Sequence, residues 1–118
     1  MFAKGFEDLE IWKLAREIVK DVYLDFSACR DFEFRNQINS AAISIMNNIA
    51  EGHGREGKKE FHQFLNIAKS SCNEVKNMYY IAEDLNYLNK ETAENRRTRC
   101  DHQKNSIAKL MYHLKSKQ

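Results

Sequence analysis

Histidines, cysteines and glutamates are the residues of this chain most suited to chemistry, and their spacing limits the sites they can build. A di-iron site in a helical bundle uses glutamates followed three residues later by a histidine, because residues three apart share a helix face. No glutamate here has a histidine at that distance. The four histidines, at positions 53, 62, 102 and 113, also lack the four-residue spacing of a helical zinc clamp. The sequence therefore predicts no metal site.

The cysteines are Cys29, Cys72 and Cys100, an odd number with no C-x-x-C pair. This pattern favours neither a disulfide framework nor a zinc knuckle, and it fits a reducing cytoplasm. Cys72 falls on an apolar helix face, where a cysteine behaves as a small buried hydrophobe rather than a nucleophile. We expect a cytoplasmic protein whose cysteines are structural.

The segment G-H-G-R-E-G-K-K, residues 52–59, places glycines beside basic residues and in this respect is similar to a phosphate cradle. It lacks the preceding strand and the GKS or GKT ending of a P-loop, so we interpret it as a turn between helices. With no catalytic group assembled, the sequence predicts no enzymatic activity, no cofactor and no small-molecule substrate.

The elements that position these residues are helices, because the chain has no proline and only four glycines. Apolar residues recur at helical spacing in four segments, about 7–27, 32–51, 58–87 and 90–116. Asp31 and Asn89 are expected to cap the second and fourth helices, and Gly52 to end the second. Short connections make neighbouring helices antiparallel. We predict an all-α, up-down-up-down antiparallel four-helix bundle forming one domain over residues 1–118.

The predicted core face of the third helix includes Cys72, Val75, Ala82 and Leu85.

No apolar leader begins the chain, and the uncharged run of residues 36–50 is too short and too polar to cross a bilayer. We therefore expect no membrane association.

That run, N-Q-I-N-S-A-A-I-S-I-M-N-N-I-A, has no charge, although 31% of the chain is charged. A helix of this kind is expected to be covered on more than one side. Small amides and hydroxyls form polar, uncharged stripes on the second and third helices, and buried asparagines can fix an oligomer's register. A solvated face is the alternative for the third helix. The candidate oligomer interface comprises Gln37, Ser44, Asn48, Asn66, Ser70, Asn73 and Asn77.

Basic residues suggest a second surface, since clustered lysines and arginines attract phosphate backbones without reading sequence. Tyr79, Tyr80 and Tyr87 offer rings for stacking, although no recognised nucleic-acid-binding module is present. The alternative is again a solvated face. The candidate nucleic-acid-binding residues are Arg55, Lys58 and Lys59 at the turn and Arg96, Arg97 and Arg99 on the fourth helix, with Lys104 and Lys109 beyond them.

Three segments carry a family resemblance. They read F-x-D-L-x-I-W-x-x-A from Phe6, Q-I-x-x-A-A-x-S-I-x-x-N-I-A-E-G-x-G-R from Gln37, and E-F-x-x-F-L-x-I-A-x-x-S from Glu60. Together they resemble the small bacterial family of 23S rRNA intervening-sequence proteins, and N-I-A-E-G-x-G-R is the most specific part.

The resemblance implies a cytoplasmic four-helix bundle that forms a ring-like homo-oligomer, typically a pentamer, without established enzyme activity. Some related proteins resemble the accessory variability determinant of diversity-generating retroelements, a basic pentamer that binds nucleic acid and a reverse transcriptase. This chain departs from the family pattern at Asn39 and Ser40, where a basic pair is usual, and at Met46, where proline is usual.

Two hypotheses follow for the function. The first is a non-catalytic oligomeric scaffold or adaptor that binds copies of itself. The alternative is an accessory protein that binds RNA or DNA, possibly together with a reverse transcriptase, through its basic surface.

Overall fold

The computed structural model of the protein describes residues 5–116, and four α-helices account for most of that range. They are α1 (Glu10–Asp25), α2 (Phe32–His53), α3 (Lys58–Asp84) and α4 (Lys90–Ser116). A short 3₁₀ turn, Phe6–Asp8, precedes α1. The described range contains no β-strand. The predicted all-α four-helix fold is confirmed.

Each helix packs against its two neighbours in a closed ring, α1 on α2, α2 on α3, α3 on α4 and α4 on α1. The bundle measures 46 × 20 × 19 Å. Its long dimension agrees with helices of 27 residues, since each residue adds about 1.5 Å. Within residues 5–116, no helix combines the length and apolar character needed to cross a membrane.

Two side chains cap the helices where the sequence predicted them. The Phe34 amide donates to Asp31 Oδ1 at 3.1 Å at the start of α2, and the Thr92 amide donates to Asn89 Oδ1 at 2.7 Å at the start of α4. Each bond satisfies one of the amides that a helix leaves unpaired in its first turn.

Helix α3 ends at Asp84, earlier than the predicted residue 87. The reason is Asn86, which adopts a left-handed backbone with φ of 62°. Asparagine tolerates this conformation, and the amide of Tyr87 then reaches back to the carbonyl of Ala82 at 2.8 Å. At the other end of the chain, extended backbone at Leu9 separates the 3₁₀ turn from α1, so the first predicted helix is shorter than expected.

Gly52 does not end α2, so that prediction was wrong. The helix continues through His53, and Gly52 is buried within it. A Cβ built on Gly52 would lie 2.7 Å from Phe64 Cβ and 2.9 Å from Phe61 Cδ1, both on α3. The glycine is needed because the two helices approach too closely here for a side chain, not because the backbone must turn.

The side chains that join α2 to α3 become longer with increasing distance from Gly52. Near the middle of the pair, Ser44 Oγ and Ser71 Oγ are 2.9 Å apart. Towards the start of α2, the longer side chains of Gln37 and Glu74 meet, with Gln37 Nε2 donating to Glu74 Oε2 at 3.4 Å. A groove of about 380 Å³ opens between the helices at that end, beside Gln37, Glu74 and Ile81. Side chains of increasing length therefore bridge the two helices with increasing distance from Gly52.

The interior follows the predicted apolar faces, and Leu85, Tyr79 and Gln103 are among the differences. Leu85 was predicted to be buried but is 52% exposed, because it lies beyond the last turn of α3. Tyr79 and Gln103 are buried although neither was assigned to the core. The amide of Gln103 donates to the Ile11 carbonyl at 2.8 Å, which ties α4 to the start of α1.

We predict that Gly52→Ala destabilises the protein because the added methyl group must push α3 away from α2. Overpacking costs about 1–3 kcal/mol and the gain in helix propensity returns up to about 1, so we expect the free energy of unfolding to fall by about 1–2 kcal/mol. Urea unfolding followed by circular dichroism measures this change.

Gly54→Ala is the matched control. Its Cβ would lie 3.5 Å from the nearest atom, the Glu51 carbonyl oxygen, and Gly54 already has a right-handed backbone. We expect a change within about 0.5 kcal/mol. Equal effects of the two substitutions would show that the close approach at Gly52 is not the constraint described above.

Candidate interaction surfaces

The described residues 5–116 form no metal centre. No group of three or more His, Cys, Asp or Glu residues is placed to hold a metal ion there. Cys72 and Cys100 are buried between the helices. Burial raises the pKa of both thiols, that of Cys100 to about 12, so neither forms the thiolate that nucleophilic chemistry requires near neutral pH.

Arg96 belongs to an ion cluster that joins three helices. Its guanidinium donates two hydrogen bonds to Asp25 of α1, from Nε at 2.7 Å and from Nη2 at 3.0 Å. The hydroxyl of Tyr79 on α3 donates to the same carboxylate at 2.8 Å. The hydrogen bonds to Asp25 raise the pKa of Arg96 above its usual value. This geometry gives Arg96 a structural role in α1–α4 packing.

Arg97 and Arg99 are also paired with carboxylates of the same chain. Arg99 Nη1 donates to Asp21 Oδ2 at 2.7 Å. Arg97 is buried, with its Nη2 2.9 Å from Glu83 Oε1 and its guanidinium carbon 4.0 Å from the centroid of the Tyr80 ring. The charges of the α4 arginines are therefore compensated by carboxylates of α1 and α3, which the local sequence around 96–99 could not reveal.

The basic residues of the turn lie at the other end of the bundle. Lys58 and Lys59 are exposed at the start of α3, whereas Arg97 packs against Tyr80 near its end. The twenty-odd residues between them correspond to about 30 Å of helix. Arg55 is 3.4 Å from Glu51 and stacks over the Phe64 ring. The six candidate nucleic-acid-binding residues thus do not form one surface.

The three candidate interface residues of α2 face α3 of the same chain. Ser44 bonds to Ser71, as described above, and Asn48 Nδ2 donates to the Ser44 carbonyl at 2.8 Å and to its hydroxyl at 3.1 Å. Gln37 is exposed but bonds to Glu74. These residues contribute to packing within one chain, while the outward face of α2 is formed by neighbours that the sequence analysis did not select.

The outward faces of α2 and α3 together form a broad surface of amides and hydroxyls, here called the amide face. All four α3 candidates are exposed, and the α2 residues beside them follow the same four- and three-residue spacing. The uncharged run of residues 36–50 indicated that α2 carries such side chains. The sequence alone did not show which of them face outward, because that depends on which side of α2 packs against the core. The amide face comprises Asn36, Ser40 and Asn47 of α2 and Asn66, Ser70, Asn73 and Asn77 of α3.

A comparison with protein families agrees with the motifs. The model of the 23S rRNA-intervening sequence protein family matches residues 7–109, which include α1, α2, α3 and most of α4. This chain belongs to that family. Among curated proteins, none matches the chain. In this member of the 23S rRNA-intervening sequence protein family, the amide face is formed by α2 and α3, the helices that contain the second and third sequence motifs.

We predict that Arg96→Ala lowers the free energy of unfolding by about 2–4 kcal/mol, because it leaves Asp25 without its cation in a largely buried position. The side chains of Arg96 and Asp25 are 17% and 6% exposed. Urea unfolding provides the measurement. The control is Lys59→Ala, which removes an exposed cation and should change stability by less than about 0.5 kcal/mol. A mild effect of Arg96→Ala, similar to the control, would contradict a structural role.

Proposed function

We propose that this protein is a non-catalytic scaffold of the cytoplasm that assembles from identical copies through the amide face. The observation that carries the proposal is that the two exposed rows of the amide face, one on α2 and one on α3, contain no charged residue. In a chain with 31% charged residues, a face of this size would ordinarily carry several charges. The α2–α3 seam runs between the two rows, and there the exposed carboxylate of Glu74 is bonded to Gln37.

A polar face with this little charge suits contact with another subunit because covering it desolvates few charged groups. Amides and hydroxyls can then hydrogen-bond across the contact, and each such bond compensates for the water that is lost. Two exposed isoleucines of α3 add apolar area, Ile67 with 49% and Ile81 with 38% exposure. The resemblance to pentameric members of the family favours five copies in a ring.

A role in assembly rather than catalysis also accords with the disposition of the reactive groups. The buried thiols are protonated, and the strongest ion pairs join helices to one another. These groups stabilise a rigid platform. In this proposal the protein acts by holding other components in a fixed arrangement around the assembled ring.

Asn73→Lys is the substitution that best tests the assembly. Asn73 is exposed on α3 and makes no bond that the bundle needs, whereas a lysine at Ser44 would also disrupt the Ser44–Ser71 contact inside the chain. A lysine buried between subunits without a partner is strongly unfavourable. We expect wild-type protein at low micromolar concentration to give an oligomeric mass by light scattering, and Asn73→Lys to give a monomeric mass.

The control is Asn105→Lys, the same change at an exposed position on α4, outside the amide face. It should assemble like the wild type. Circular dichroism should show the same helix content for all three proteins. A strictly monomeric wild type would refute the proposed assembly, and normal assembly of Asn73→Lys would exclude the amide face as the interface.

A further inference from the structure

The seam between α3 and α4 carries a row of lysines that the ion pairs of the bundle do not use. Lys76 of α3 lies at this seam, since its Nζ is 2.9 Å from Asp101 Oδ1 on α4. Lys69 is seven residues before Lys76, and Lys104 is three residues after Asp101, so both lie on the faces that meet at this seam. Towards the end of the bundle, Lys59 and Lys115 line one groove of about 350 Å³.

We call this row the basic seam and define it as Lys58, Lys59, Lys69, Lys104 and Lys115. None of the five forms an ion pair with another residue of the described range 5–116. The chain has no Asp or Glu from 61 to 73 or from 102 onwards. Glu56 and Glu60 are nearby in sequence, but within the described residues neither forms an ion pair with Lys58 or Lys59. The basic seam is therefore a concentration of uncompensated positive charge.

An exposed aromatic ring stands beside these charges. Tyr112 on α4 is 77% exposed, more than the other exposed large hydrophobic residues of the described range. Lys109 precedes it by three residues and Lys115 follows it by three, so an ammonium group neighbours the ring on each side along the helix. A flat ring between two cations can stack on a nucleobase while the cations contact the adjoining phosphates.

From these observations we infer that the basic seam and Tyr112 bind a single-stranded nucleic acid. The row from Lys104 to Lys115 extends for about 16 Å along α4, which matches a backbone of several nucleotides. A duplex would leave Tyr112 without a base to stack on, and a bilayer surface would favour a larger apolar face than one ring. This site is separate from the arginines at the other end of the bundle, and it does not depend on assembly through the amide face.

The test is fluorescence anisotropy with the full-length protein and labelled oligouridylate or oligothymidylate of about 20 nucleotides. Binding should weaken steeply between about 50 and about 200 mM salt, as expected when several lysines displace counterions. The two oligonucleotides distinguish RNA from DNA. A duplex of the same length and polyglutamate show whether any polyanion is sufficient.

Two variants locate the site. Lys59→Glu combined with Lys115→Glu reverses two exposed charges of the basic seam, and we expect affinity to fall at least about tenfold. Lys13→Glu combined with Lys20→Glu makes the same change in net charge on α1, where both lysines are exposed. That control should lose at most about threefold.

Tyr112→Ala should weaken binding of the single strands by about fivefold to a hundredfold and leave polyglutamate unaffected. Tyr23→Ala, which removes an exposed ring from α1, is its control. The inference is overturned if no binding is detected at low salt, if the paired variants behave alike, or if polyglutamate competes equally and Tyr112→Ala has no effect. Light scattering in the same buffer reports assembly separately, so failure of either proposal leaves the other testable.

Discussion

The carboxylate of Asp25 is the point on which the arrangement of the bundle depends. It lies in the last turn of α1, and it receives hydrogen bonds from Tyr79 of α3 and Arg96 of α4. A carboxylate removed from water in this way needs its cation and its hydroxyl donor together. Because the donors come from two other helices, α1 cannot slide or rotate without losing both, and this one group fixes three helices relative to each other.

The same cluster explains why arginine and lysine have different places in the molecule. A planar guanidinium can make two aligned bonds to one carboxylate, as Arg96 does with Asp25, and it loses hydration more readily than an ammonium group. Three arginines near the start of α4 are consequently within the packing. Lys58, Lys59 and Lys115 of the basic seam are exposed instead, and they place unpaired positive charge towards the opposite end of the bundle.

The fold could be predicted from the sequence because apolar spacing and the absence of proline determine it. Asp31 and Asn89 indicate two helix starts through their local capping chemistry alone. The interaction surfaces could not be predicted in this way. Arg96 looks the same in sequence as a surface arginine, and only its distance from Asp25, 71 residues earlier in the chain, makes it structural. Ser44 and Ser40 are likewise equivalent in composition, but the first bonds to Ser71 while the second is exposed. Gly52 illustrates the same limit of the sequence. A glycine that ends a helix cannot be distinguished in sequence from a glycine that allows a neighbouring helix to approach closely.

The contact at Gly52 also makes the two ends of the α2–α3 seam different from each other. A side chain at position 52 would meet Phe61 and Phe64, whereas long side chains meet at Gln37 and Glu74 beside an open groove. One end of the α2–α3 seam therefore tolerates no added volume, and the other end accommodates it. A substitution that enlarges a side chain should be resisted near Gly52 and absorbed near Gln37.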